Sequence, residues 1–171
     1  MNKKLPKKLV GEFLDAAVED QEKASQLLKD YPDLLNARWI SNETILHFLA
    51  VESYVDGVLY LARAGADVNL RNKFGNTPLI DVAMIGNNEV AEVLLAHGAD
   101  PNVTSDISDN PLHCAVSNGN ARLVGMLLDK GARHDYVTDI KETVTDALPN
   151  DDAARVAVVR EFNTRKINLK S

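Results

Sequence analysis

Chemistry-bearing residues are scarce in this chain. Its 171 residues include a single cysteine, Cys114, which excludes an internal disulfide framework and fits a reducing compartment. The four histidines, His47, His97, His113 and His134, never fall at His-x-x-x-His spacing, so no metal site is expected. No glycine-rich phosphate loop is present, and no cofactor is expected. No apolar run reaches the roughly 18 residues that a membrane-spanning helix needs. The start, Met1-Asn2-Lys3-Lys4-Leu5-Pro6-Lys7-Lys8, is basic like the opening of a signal peptide. Gly11-Glu12 and Asp15 interrupt the apolar stretch that should follow. The expectation is a cytoplasmic chain that does not enter a membrane.

Acidic residues are missing from both ends. Residues 1 to 8 carry four lysines and no acid, and residues 164 to 171 carry Arg165, Lys166 and Lys170, again with no acid. Seven of the 19 basic residues therefore lie in the ends, and all 25 acids lie between them. The formal net of −6 conceals a body of −13. Such a body repels nucleic-acid phosphate and would steer a basic protein partner toward it. The ends are expected to be solvated and frayed.

The sequence does contain a period. Leu46, Leu79 and Leu112 are 33 residues apart, as are Gly65, Gly98 and Gly131. Thr44, Thr77, Asn110 and Thr143 keep that register, and so do Asn36, Asn69, Asn102 and Asp135. A fixed period of this length implies stacked repeats. One unit is too small to bury its own apolar face, so neighbours must stack to make a core.

The blocks inside the period are Asn76-Thr77-Pro78-Leu79, Gly86-Asn87, Val93-Leu94-Leu95 and Gly98-Ala99-Asp100-Pro101-Asn102. They resemble the ankyrin repeat. Thr44-Ile45-Leu46-His47 with Gly65-Ala66-Asp67-Val68-Asn69, and Asn110-Pro111-Leu112-His113 with Gly131-Ala132, carry the same signature. The resemblance implies an all-α solenoid of helix-turn-helix units with β-turn fingers, forming a single domain over 1 to 171. Full repeats are assigned to 39–71, 72–104 and 105–137. Degenerate units at 9–38 and 138–163 cap the array, with basic tails at 1–8 and 164–171. Five helix pairs would then use nearly all of the chain.

Elementary physics accounts for each block. The Thr77 side chain can accept an orphan amide of the first helical turn, and Pro78 sits where a missing N–H costs nothing. Leu79, Val82 and Ala83 fall at helical spacing and should face inward. Gly98 ends the second helix in the left-handed region. Three departures stand out. The finger-tip position of Gly75 is occupied elsewhere by Asn42, Ser108 and Lys141. Ser and Lys tolerate positive φ poorly, so the fingers at 106–109 and 139–142 are expected to bend differently. The second repeat has Ser53 for Gly86 and Ala62 for Leu95; a looser unit is expected there, filled by Tyr54 and Tyr60.

The resemblance assigns His47 and His113 to bracing the fingers. His97 suits a helix C-terminus, and Asp151-Asp152 suit the start of the last helix. A catalytic reading would have to use His113, Cys114 and Asp81. Neighbours on a helix point about 100° apart, so His113 and Cys114 form no dyad, and a repeat array offers no enclosed pocket. The expectation is a non-enzymatic protein-binding module.

The family's variable face, made of finger tips and the exposed side of the first helices, carries over position by position. It gives Ile40, Ser41, Glu43, Val51 and Glu52 in one repeat, and Lys73, Phe74, Asn76, Met84 and Ile85 in the next. The following repeat adds Asp106, Ile107, Asp109, Ser117 and Asn118, and Trp39, Arg71 and Thr104 lie at finger bases. Apolar Trp39, Ile40, Phe74, Met84, Ile85 and Ile107 fall on this concave groove, flanked by Glu43, Glu52, Asp81, Asp106 and Asp109. Large apolar residues at such positions mark interface hot spots. The expected partner is another protein with a basic surface, bound by a monomer. Small bacterial ankyrin proteins that act as immunity proteins, neutralising a cognate toxin, are similar in being small, acidic and built of repeats alone. A regulatory adaptor or a host-directed effector would use the same groove.

Overall fold

The fold is that of a computed structural model, which describes residues 5–106, 110–138 and 141–169. Helices come in antiparallel pairs. They are α1 (Lys7–Glu19) and α2 (Gln21–Asp30), α3 (Ile45–Val51) and α4 (Val55–Arg63), α5 (Pro78–Ile85) and α6 (Asn88–Ala96), and α7 (Pro111–Ser117) and α8 (Ala121–Asp129). A last helix, α9 (Asp152–Thr164), stands without a helical mate among the described residues. Short 3-10 turns at Pro32–Asn36 and Ile40–Asn42 connect the first two pairs.

Each first helix begins on the periodic polar residue. Thr44, Thr77 and Asn110 accept from the amides of His47, Ile80 and His113 at 3.3, 3.4 and 2.9 Å, satisfying one of the donors that a helix start leaves unpaired. Pro78 and Pro111 occupy the first turn. Asn87, Asn120 and Asp151 cap α6, α8 and α9 in the same way. His97 Nδ1 lies 2.8 Å from the Val93 carbonyl at the end of α6.

The period becomes two rows of helices. In one row α3 packs on α5 and α5 on α7; in the other α4 packs on α6 and α6 on α8. Leu46, Leu79 and Leu112 are buried in the first row, and Leu61, Leu94 and Leu127 in the second. One continuous apolar cluster runs from Val10 in α1 to Phe162 in α9. Asparagines 33 apart tie the units outside this core. Asn36, Asn69 and Asn102 accept from the amides of Asp67, Asp100 and Arg133 at 2.8 to 2.9 Å. Asn69 and Asn102 also donate to the carbonyls of Gly98 and Gly131.

Four expectations are corrected. Lys141 takes a φ of 64° and Asn42 the same value, beside 74° at Gly75; the Lys141 tip keeps the usual left-handed turn, with its amide bonded to the Thr138 carbonyl. The finger at 106–109 lies largely outside the described residues. The second repeat is not loose, because Ser53 adopts the left-handed φ of its glycine counterparts and Leu49, Val58 and Leu61 are fully buried. Tyr54 stands exposed, and Tyr60 meets Ser25 of α2 hydroxyl to hydroxyl at 3.0 Å. The fifth unit is not a helix pair, since turns replace its first helix at 144–147. The ends are not frayed where they are described: α1 already begins at Lys7, and Leu5, Ile167 and Leu169 pack against the core. Arg165 holds the last turn to α8 through Asp129 at 2.7 Å and to Glu161 at 2.8 Å.

Candidate partner-binding groove

The groove is built on the fingers, and the fingers are fixed from within. In the finger between α4 and α5, the Asn72 amide donates to the Asn76 carbonyl at 2.8 Å. The Asn72 side-chain oxygen accepts from the amides of Phe74 and Asn76 at 2.9 and 3.1 Å, an Asx-type turn. Gly75 forms the tip, and a Cβ there would lie 2.8 Å from the Asp106 backbone nitrogen. The next finger therefore sits directly on it, and the Asp106 amide donates to the Phe74 carbonyl at 3.3 Å. Arginines lace the finger bases. Arg38 donates to the carbonyls of Asn42 and Arg71, and Arg71 to those of Gly75 and Thr104.

Two ionisable groups meet at Asn76. His47 Nδ1 receives the Thr44 amide at 3.3 Å, so Nε2 carries the proton and donates to the Asn76 carbonyl at 3.1 Å. Burial, with the Arg38 charge adding to it and the Asn76 bond opposing, lowers the His47 pKa to about 4. His47 is a neutral brace between one first helix and the next finger, as the resemblance implied. His113 holds the corresponding place, with Nε2 facing Glu142 at 4.0 Å. On its other side Asn76 donates to Asp81 Oδ1 at 2.7 Å, and Asn72 donates to Oδ2 at 3.2 Å. Burial pushes the Asp81 pKa up to about 6; the Glu43 carboxylate adds to that, and the Asn76 hydrogen bond opposes it.

The structure sorts the sequence-predicted residues. Ile40 is 64% exposed, Phe74 42%, Met84 49% and Ile85 53%. Lys73 lies over the Phe74 ring at 4.6 Å, and Met84 Sδ comes within 4.0 Å of the Asn76 amide nitrogen. Asp81 and Met84 thus meet at Asn76, at the foot of one finger. Glu43 is half-buried on the preceding finger, while Glu52, Asp106 and Ser117 are exposed. Asn76, at 5% exposure, belongs to the frame and not to the free surface. Asn118 donates to the carbonyls of Ala83 and Met84 at 3.1 and 2.9 Å, closing the end of α5. Trp39 is half-buried, its ring 3.0 Å from where a Cβ on Gly11 would stand, so it seals α1 onto the array. Ile107 and Asp109 lie outside the described residues, and of the Ser41 side chain nothing is described. Asn72 and Arg38 were missed. The readable signal for Asn72 was an Asn three places before the tip glycine, Gly75.

Paired helices stacked in two rows, with fingers projecting from one side, define a helical repeat solenoid. A family model for ankyrin repeats (3 copies) matches residues 46–138, more than half of the chain, and the protein belongs to that family. It is similar to the serine/threonine-protein kinase VIK of Arabidopsis thaliana, 34% identical over 78 residues, which is 46% of this chain and 18% of the kinase. It is also similar to the probable E3 ubiquitin-protein ligase XBOS33 of Oryza sativa subsp. japonica, 36% identical over 88 residues (50% of this chain, 17% of the ligase). Cyclin-dependent kinase 4 inhibitor B of Mus musculus is 44% identical over 57 residues, 33% of this chain and 43% of the inhibitor. The chain therefore matches less than half the length of each of these relatives.

Proposed function

We propose that the protein is a non-catalytic module that binds another protein along the finger-side groove and acts by occupying it. The observation that carries this reading is the exposure of Ile40, Phe74, Met84 and Ile85 around a rigid, hydrogen-bonded finger. Apolar side chains of this size on the face that the fold does not need are a binding surface. The acidic body, −13 over residues 9 to 163, favours a partner with a basic surface. Inhibition by occupancy agrees with one relative's being named an inhibitor of a kinase. In its most specific form the protein is an immunity protein whose groove covers the active surface of a cognate toxin. A monomer in the cytoplasm suffices for this. A regulatory adaptor would bind through the same surface without blocking activity.

The test is affinity capture from the source cell with the tagged wild type and a Phe74→Ala, Met84→Glu double variant, both confirmed folded by circular dichroism. The expected result is a single basic partner held by the wild type and lost with the variant. Adding the protein to the purified partner should then abolish that partner's activity. Equal recovery with both forms would move the binding surface off the groove.

A further inference from the structure

The row of fingers is open at its amino-terminal end. Arg38 of the first finger donates to the Arg71 carbonyl of the second, and Arg71 to the Thr104 carbonyl of the third. Among the described residues no finger precedes the first. A cleft of about 690 Å³ lies there instead, bounded by the start of α1, the turn at Pro32–Asn36 and the first finger. That volume falls within the roughly 300–1,000 Å³ typical of ligand sites. Half-buried Leu5, Leu35 and Trp39 supply its apolar lining, and exposed Asp33, Asn36 and Arg38 its polar lining. The Trp39 ring rests on Gly11, so this wall is formed in advance.

The hydrogen-bond pattern of the array breaks at the same place. Asn69 and Asn102 each accept from an amide of the next unit and donate to a glycine carbonyl, Gly98 or Gly131. Asn36 keeps the first of these bonds, to the Asp67 amide at 2.9 Å. Its Nδ2 has no partner among the described residues. Arg38 is tied to two finger carbonyls through Nη1 alone, which leaves the Nε and Nη2 hydrogens unspent among the described residues. Two side chains fixed by other bonds thus line the cleft with N–H donors to spare. Elsewhere in this chain the same side-chain types at the same register bind backbone carbonyls. Asp33 adds a negative charge that disfavours a carboxylate in the cleft.

We propose that this cleft receives an extended apolar segment of the partner protein, in the place where a preceding finger would stack. Backbone carbonyls of the segment accept from Asn36 and Arg38, and one apolar side chain packs against Leu5, Leu35 and Trp39. Main-chain bonds then supply affinity and the apolar wall supplies specificity. Because the donors are held in place beforehand, little ordering is needed on binding. The proposal rests on the reading of the chain as a protein-binding module. It adds an anchor at one end of the groove, on the finger that also exposes Ile40.

Trp39 is the sole tryptophan and reports on the cleft directly. The probe is a displayed random peptide library without tryptophan, selected on the full chain. Recovered peptides are titrated against the wild type, Asn36→Asp and Phe74→Ala, each checked by circular dichroism, while Trp39 emission is followed. Asn36→Asp keeps the oxygen that accepts from Asp67 and removes only the side-chain donors. The expected peptides are apolar, change Trp39 emission and bind Phe74→Ala as they bind the wild type. They should bind Asn36→Asp about tenfold more weakly. Peptides that change Trp39 emission but bind Asn36→Asp equally well, or that require an acidic residue, would overturn the proposal. Wild-type emission that shifts with the protein's own concentration would mean that a second copy fills the cleft, and would overturn it too. If every peptide depends on Phe74 and leaves Trp39 emission unchanged, the cleft fails and the groove reading stands. A selection that yields no peptide would overturn both.

Discussion

His47 and Asp81 are joined through Asn76, and their protonation pulls the fold in opposite directions. His47 titrates near 4 in the folded chain against an ordinary 6.5. Between those values the unfolded chain binds a proton that the folded chain refuses, so this contribution to stability is lost as pH falls. Asp81 titrates near 6 against an ordinary 3.8. There the folded chain holds a proton that the unfolded chain has released, so its contribution is full below 3.8 and is lost as pH rises through 6. In the window from 4 to 6 the two largely cancel. Asp81→Asn removes one side of the balance. Its stability should fall below that of the wild type by roughly 2 kcal/mol more at pH 4 than at pH 7, after allowance for the half-exposure of the carboxylate. Urea midpoints across that range measure the difference, and parallel curves would refute it. Lys141 offers a second residue-scale test. It holds a φ of 64° without being glycine, so Lys141→Gly should stabilise the chain by about 1 kcal/mol, read as a rise in the thermal midpoint.

At the scale of elements, α9 closes the array alone. Turns replace the helix that would pair with it, so its hold on α8 must come from its own side chains. Phe162 and Val158 are fully buried, and Arg165 reaches Asp129 across the pair. Gly125 of α8 makes the approach possible, since a Cβ there would lie 2.6 Å from Glu161 Oε2. Phe162→Ala should cost about 3–5 kcal/mol. The exposed ion pair Arg165–Asp129 should cost far less when broken. Equal losses for Phe162→Ala and Asp129→Ala in denaturant melts would contradict this division.

Over the whole molecule, stability is a sum of unit and interface terms. The apolar cluster is continuous from α1 to α9, which predicts that the array melts as one. Trp39, the sole tryptophan, sits at the amino-terminal end against Gly11 and reports locally. Its fluorescence transition should coincide with the loss of helical ellipticity in the wild type. In Phe162→Ala the carboxy-terminal units should melt first, so that ellipticity falls at lower denaturant than fluorescence. Coincident curves in that variant would mean that coupling along the array outweighs the loss at its end.

The 33-residue period by itself determined the two-row solenoid, because capping residues, inward leucines and helix-ending glycines act locally and repeat in register. The family resemblance, carried over position by position, gave Ile40, Phe74, Met84 and Ile85 as variable positions, and the structure leaves all four exposed. What the period could not determine depends on neighbours one period away. Asn76 and Asn118 occupy variable positions, yet one is buried by Asp81 and His47 and the other spent on the carbonyls of α5. Lys141 and Ser53 take a glycine's conformation because surrounding hydrogen bonds hold them there. The basic end folds back because Ile167 and Leu169 find the core. The hold of Asn72 and Asn76 on the Asp81 carboxylate exists only once the finger is folded against α5. Burial and electrostatics act through space, and only the tertiary structure brings those residues together.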